Sequence, residues 1–182
     1  MESNDLHTLY QKAILFVAKK HHAAGQTLPG TELPYLVHLS NVAMEILIAD
    51  SNTLDFDTNF AIQVALLHDT LEDTPTTSAE LEQTFGNKVA MAVNALTKNG
   101  NLPKNEKMSD SLTRIRTQPK EVWAVKLADR ITNLQKPPAH WDSVKRLKYK
   151  FEAQIILTAL KGANAYLESR LAAKIIEYEQ YI

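Results

Sequence analysis

Phe60-Ala61-Ile62-Gln63-Val64-Ala65-Leu66-Leu67 is apolar nearly all round a helical wheel, and it runs straight into His68-Asp69-Thr70-Leu71-Glu72-Asp73-Thr74. A helix apolar on every side belongs deep in a core. The segment reads as one helix from about Thr58 to Thr74, stopped by Pro75. Outward from it, apolar residues recur at three and four, the helical period. Leu6, Leu9, Tyr10, Ala13 and Val17 mark a first helix ending before Gly25, and Pro34 opens a second that runs to about Asp50. Shorter helices are expected over 78–85, 88–98 and 109–117, around Gly86 and a polar loop at 99–107. Pro119 opens another to about Gln135, and two longer ones cover about 139–161 and 164–181. No stretch alternates cleanly enough for a strand. The expectation is an all-α, multi-helix fold forming a single domain over residues 1–182.

Composition narrows the chemistry. Of 182 residues, 45% are hydrophobic and 23% charged, the proportions of a globular chain rather than a disordered one. Lys+Arg is 20 against Asp+Glu 21, a net charge of −1 that gives no general attraction to nucleic acid or to an anionic membrane. There is no Cys, so thiolate metal sites and thiol nucleophiles are excluded. Met1-Glu2-Ser3-Asn4-Asp5 lacks the basic and apolar regions of a signal peptide, and no apolar stretch approaches the ~20 residues of a membrane span, so a cytoplasmic protein is expected.

The acids that end the apolar helix carry the first functional signal. On a continuous helix His68 and Glu72 share one face, Asp69 and Asp73 the adjacent one, and His68 and Asp69 project about 100° apart. Three carboxylates crowded at a helix end, where the backbone is itself partly negative, call for a cation. Two more residues are candidates to complete such a site. His38, alone among apolar neighbours on the second helix, would read as a hydrogen-bonded core histidine. Asp129, on a stripe with Lys126 and Asn133, would by itself read as part of a solvated face.

Together, a His, a His-Asp pair and a distant Asp on separate helices resemble the HD-domain metal-dependent phosphohydrolases. Pro34-Tyr35-Leu36-Val37-His38, Ala65-Leu66-Leu67-His68-Asp69 with Glu72-Asp73-Thr74, Phe85-Gly86 with Thr97-Lys98, and Val125-Lys126-Leu127-Ala128-Asp129-Arg130 with Asn133 are similar to the hydrolase domain of the RelA/SpoT family. The chain is only as long as that domain, which points to a stand-alone small alarmone hydrolase of the metazoan SpoT-homologue kind, without a synthetase half. The resemblance implies removal of the 3′-pyrophosphate from alarmones such as ppGpp. It implies one Mn²⁺ per chain on His38, His68, Asp69 and Asp129, a mixed N/O set that suits this ion. Such a metal acidifies water and withdraws charge from phosphoryl oxygens. Glu72 and Asp73 match the acid pair that orients or deprotonates the attacking water, with Glu72 favoured one turn beyond His68. Asn133 and Gln26 match substrate-binding positions. Lys98 would lie near the same region, and Arg130 would hold a structural salt bridge.

One stretch departs from the family. Guanine-specific members place an Arg-Lys pair shortly after the Gln; here Gln26-Thr27-Leu28-Pro29 has neither. Leu28 and Pro29 cannot pair with phosphate or stack as a guanidinium does. The base is therefore open between guanine and an adenine alarmone such as ppApp or pApp. Phosphatase action on NADPH, a deoxynucleotide substrate and a non-catalytic nucleotide-binding module are the alternatives. Lys145-Arg146-Leu147-Lys148-Tyr149-Lys150 is expected to be a solvated helix face. Ile155, Ile156, Leu157, Leu171, Ile175 and Ile176 suit either core or a homodimer surface.

Overall fold

A computed structural model of the chain describes residues 5–182; the acidic stretch at residues 1–4, on which the absence of a signal peptide was read, lies outside the described residues. The elements in order are α1 (Leu6–Ala23), α2 (Leu36–Asp50), α3 (Thr58–Leu67), α4 (Thr70–Asp73), α5 (Ser78–Phe85), α6 (Asn87–Leu96), α7 (Lys107–Ile115), α8 (Lys120–Asn133), α9 (Ser143–Ala159) and α10 (Ala165–Glu177), closed by a 3-10 turn at Tyr178–Tyr181. Among the described residues the only extended pairing is an isolated bridge between Thr27 and Pro34. The all-α expectation holds. Among the described residues no helix is long and apolar enough to cross a membrane.

α3 is the axle of the fold. Phe60, Ala61, Ile62, Val64, Ala65, Leu66 and Leu67 are all buried, and α1, α2, α6 and α8 pack around them. Each such large aliphatic side chain contributes about 1.5–3 kcal/mol on burial. Helix starts are set by short polar side chains: Asp5, Asp57, Thr77, Asp142 and Asn164 each accept a backbone N–H from the first turn of the helix they precede. Between α5 and α6 the chain turns at Gly86 with φ +86°, a conformation that strains any side chain. The Arg170 guanidinium grips the buried Glu45 carboxylate at 2.7 Å and ties α10 to α2.

Most boundaries shift by one or two residues from the sequence reading, α7 for instance to Lys107–Ile115, and three of the differences have a clear physical cause. Pro34 does not open α2; it pairs with Thr27, and Tyr35 donates its N–H to the Gln26 carbonyl, so the helix proper begins at Leu36. α9 begins at Ser143 rather than about 139, because Asp142 caps it and Pro137-Pro138 holds the preceding chain in a loop. The third correction matters most. The helix from Thr58 does not continue to Thr74; it stops at Leu67 and restarts as the single turn α4, with Asp69 between at φ −98° and ψ 0°.

Candidate active site

That break builds the site. The two imidazoles and two carboxylates named from sequence come together. His68 Nε2 lies 3.0 Å from Asp69 Oδ2, where a continuous helix would have splayed the two side chains apart. His38, from α2, places Nε2 3.4 Å from His68 Nε2 and 3.7 Å from Asp69 Oδ2. Asp129, from α8, brings Oδ1 to 3.5 Å from His38 Nε2 and 3.7 Å from His68 Nε2. His38, His68 and Asp69 satisfy the spacing of a metal-ligand group, and Asp129 Oδ1 lies against its two imidazoles.

The surroundings aim these atoms inward. His68 Nδ1 donates to the Ala65 carbonyl at 2.8 Å, which leaves Nε2 to face the centre. Tyr35 donates its hydroxyl to Asp69 Oδ2 at 2.5 Å, Lys126 reaches Asp129 Oδ2 at 2.8 Å, and the Asn133 amide donates to Asp129 Oδ1 at 2.5 Å. The stripe of Lys126 and Asp129 is thus not a solvated face: the two are 8% and 5% exposed. An Asp that must serve a buried site brings its own cation one turn away.

The electrostatics show what charge the cluster suits. Burial opposes charge on Asp69 and Asp129, yet the His68 imidazolium beside Asp69, and Lys126 with both imidazoles beside Asp129, hold both carboxyls well below the usual range. Burial also opposes a proton on His68, but Asp69 and Asp129 outweigh it and push its pKa up to about 10. Burial, then the Asp69 charge, pushes the Tyr35 hydroxyl far above its ordinary value and keeps it a donor. Two buried imidazole nitrogens facing each other among carboxylate oxygens fit a divalent cation, whose charge does the work of the extra proton.

A polar pocket of about 220 Å³ opens beside the cluster, lined by Tyr35, Glu72, Asp73, Lys98, Asp129 and Arg130 among others. Glu72 and Asp73 both face it, but not in equivalent states. Glu72 is gripped through both oxygens, by Lys98 Nζ at 2.8 Å and the Lys98 backbone N–H at 3.1 Å. Asp73 has its pKa raised to about 6, by burial and by the charges of Asp69 and Glu72. The break before α4 removes the continuous-helix geometry on which Glu72 was favoured over Asp73.

A second cavity of about 350 Å³ adjoins the cluster at His38 and Asn133. Leu28, Pro29, Pro137, Pro138 and Trp141 wall it, so the departing residues of the α1–α2 loop do stand in a ligand-sized space. Gln26 does not line either cavity. Its amide donates to the Asp73 carbonyl at 3.3 Å and ties the loop to α4. The basic run in α9 is largely spent on local partners: Arg146 on the Tyr181 carbonyl, Lys150 on Glu179, and Lys145 over the Trp141 ring. Sequence reasoning missed the roles of Tyr35 and Lys126. The i,i+3 spacing of Lys126 and Asp129 within an apolar run was the available signal.

Comparison with known proteins agrees with this geometry. The model of the HD domain family matches residues 13–164. The guanosine-3′,5′-bis(diphosphate) 3′-pyrophosphohydrolase MESH1 of Danio rerio is 36% identical over 172 residues, covering 91% of this chain and 92% of the relative. The Homo sapiens protein of the same name is 34% identical over 161 residues, with 86% and 87% covered. The solved structure of a metazoan ortholog of SpoT that hydrolyses ppGpp superposes with a TM-score of 0.79 at 28% identity, covering 96% of this chain and 97% of that one.

Proposed function

This chain belongs to the HD domain family, and on that premise we propose that it is a metal-dependent hydrolase that removes the 3′-pyrophosphate of ppGpp and related alarmones. The observation that carries the reading is the convergence of His38, His68, Asp69 and Asp129 from three separate regions of the chain beneath a polar pocket.

In this reading His38, His68, Asp69 and Asp129 hold one divalent cation. The N/O donor set without sulfur favours Mn²⁺. When bound, that ion supplies a Lewis acid for water and for the phosphoryl oxygens. The chain's own groups do the rest. Glu72 and Asp73 orient the attacking water and accept its proton; burial and the neighbouring Glu72 charge raise the Asp73 carboxyl, the direction that suits a proton acceptor. The water oxygen bonds to the phosphorus next to the ribose, the 3′-oxygen–phosphorus bond breaks, and the proton passes to the 3′-oxygen. Asn133, which lines both cavities, holds the nucleotide between them, while Gln26 supports the wall from behind. The walls of the 350 Å³ cavity, with Trp141 and the prolines, suit a flat purine ring. Leu28 and Pro29 bring no charge to that ring, which favours acceptance of adenine as well as guanine. The reading takes residues 1–182 as one hydrolase domain, in a cytoplasmic setting, with the exposed Ile155 and Ile176 available to a homodimer.

The test is a panel of ppGpp, ppApp, pApp and NADPH with the Mn²⁺-loaded protein, read by product mass. Pyrophosphate from ppGpp or ppApp supports the reading. Orthophosphate from NADPH alone, or no product at all, overturns it.

A further inference from the structure

The pocket beside the cluster contains three cations, and they are not in the same state. Lys98 is paired with Glu72 and Lys126 with Asp129, each at 2.8 Å. Arg130 is different. It is about 5% exposed, and its Nε and Nη1 have no hydrogen-bond partner among the described residues. Among the described residues its one ion-pair contact is Nη2 to Glu152 Oε2 at 3.7 Å, too long for a hydrogen bond. The guanidinium carbon lies 4.4 Å from the centre of the Tyr149 ring, which holds the group in place without using its N–H donors.

A buried guanidinium with donors unspent is among the costlier arrangements in a folded protein. Here the cost falls on the helix face that serves the site. Lys126 and Asn133 stand three or four positions from both Asp129 and Arg130 on α8, and Arg130, next in sequence to Asp129, lines the same polar pocket. The planar fork of Arg matches two phosphate oxygens at once.

We propose that Arg130 receives the distal phosphate of a pyrophosphoryl substrate and makes the site select a diphosphate over a monophosphate ester. This rests on the hydrolase reading above and adds the origin of its selectivity. The reacting phosphate sits against the cluster, and the second phosphate extends along α8 to Arg130. Nε and Nη1 are shielded from bulk water, so the anion is met as the guanidinium turns off the Tyr149 ring. The stretched Glu152 contact offers little resistance to that turn. A monophosphate has no group to reach it.

The test compares wild type and Arg130→Met in buffer with Mn²⁺ in excess over the anion, so that the anion does not strip the site. Dissociation constants are measured for inorganic pyrophosphate and for inorganic phosphate. The expected result is a pyrophosphate affinity lower by roughly 10- to 100-fold, as befits loss of a charged hydrogen-bonding partner, with phosphate affinity unchanged. Pyrophosphate binding unaltered in Arg130→Met, or both anions weakened equally, overturns the proposal. Should Arg130→Met fail to fold, Arg130→Lys serves: it keeps the charge but loses the planar fork, and pyrophosphate is expected to bind more weakly while phosphate does not. No change there overturns the proposal equally. The two readings fail separately. Hydrolysis of ppGpp by wild type with pyrophosphate binding independent of Arg130 sinks this inference alone. Arg130-dependent pyrophosphate binding without hydrolysis of any alarmone sinks the hydrolase reading alone.

Discussion

His21 makes a stability prediction that can be worked through quantitatively. It is 2% exposed on the inner face of α1, stacks on Tyr35 at a ring distance of 5.1 Å and 19°, and neither ring nitrogen has a hydrogen-bond partner among the described residues. Burial lowers its pKa from 6.5 to about 4; Asp69 pulls it upward, while His68 and His38 push it further down. His22 and Glu32 line the same cavity of about 470 Å³. The folded protein therefore keeps His21 neutral at a pH where the unfolded chain binds a proton. Stability is unaffected well above pH 6.5, falls as pH drops below it, and levels off below about 4. The full difference is about 3 kcal/mol at 1.36 kcal/mol per unit, and by pH 5 about 2 kcal/mol of it has been lost. A cation at the cluster would push in the same direction, so the sign does not depend on metal loading. The assay is urea unfolding of wild type and His21→Phe at pH 7 and pH 5, since Phe retains the ring stack but cannot titrate. Wild type is expected to lose about 2 kcal/mol more than the variant over that interval. Equal losses in the two proteins, within about 0.5 kcal/mol, would refute the account of a neutral buried imidazole.

Other outcomes follow from the same geometry. Tyr35→Phe removes the hydroxyl on Asp69 Oδ2 and is expected to weaken Mn²⁺ binding by roughly 10- to 100-fold in a chelator competition, with little change in unfolding temperature. Asp69→Ala is expected to abolish both metal binding by calorimetry and turnover, whereas Glu72→Ala keeps the metal and loses turnover. Arg170→Met strands the buried Glu45 carboxylate and should cost roughly 3 kcal/mol in urea unfolding while leaving metal affinity untouched. Leu66→Ala, at a fully buried position in the axle helix, should cost about 2–5 kcal/mol by the same measurement.

The helices were legible because their apolar residues repeat at the helical period, and burial enforces that period wherever a helix lies against a core. The candidate ligand set was legible through the family resemblance: alone, His38 reads as a core histidine and Asp129 as part of a solvated face, and only the HD pattern groups them with His68 and Asp69. What stayed hidden was local and three-dimensional at once. Periodicity carried the third helix on to Thr74, since Leu71 continues the pattern. Only the packed structure shows the break at Asp69 that turns its carboxylate onto His68. Lys126 and Asp129 read as solvent-facing because charge usually is, and only the burial of α8 shows them as an internal pair. Tyr35 and Arg130 were visible as letters, but what they touch lies 34 and 22 positions away, on Asp69 and Glu152. By itself, then, the sequence determined the element types, which follow from spacing along one chain, and, through its resemblance to the HD family, the list of candidate ligands. The tertiary structure decided how those ligands are aimed, which acid is engaged and which cation is left unspent, because these depend on contacts between segments that sequence spacing does not encode.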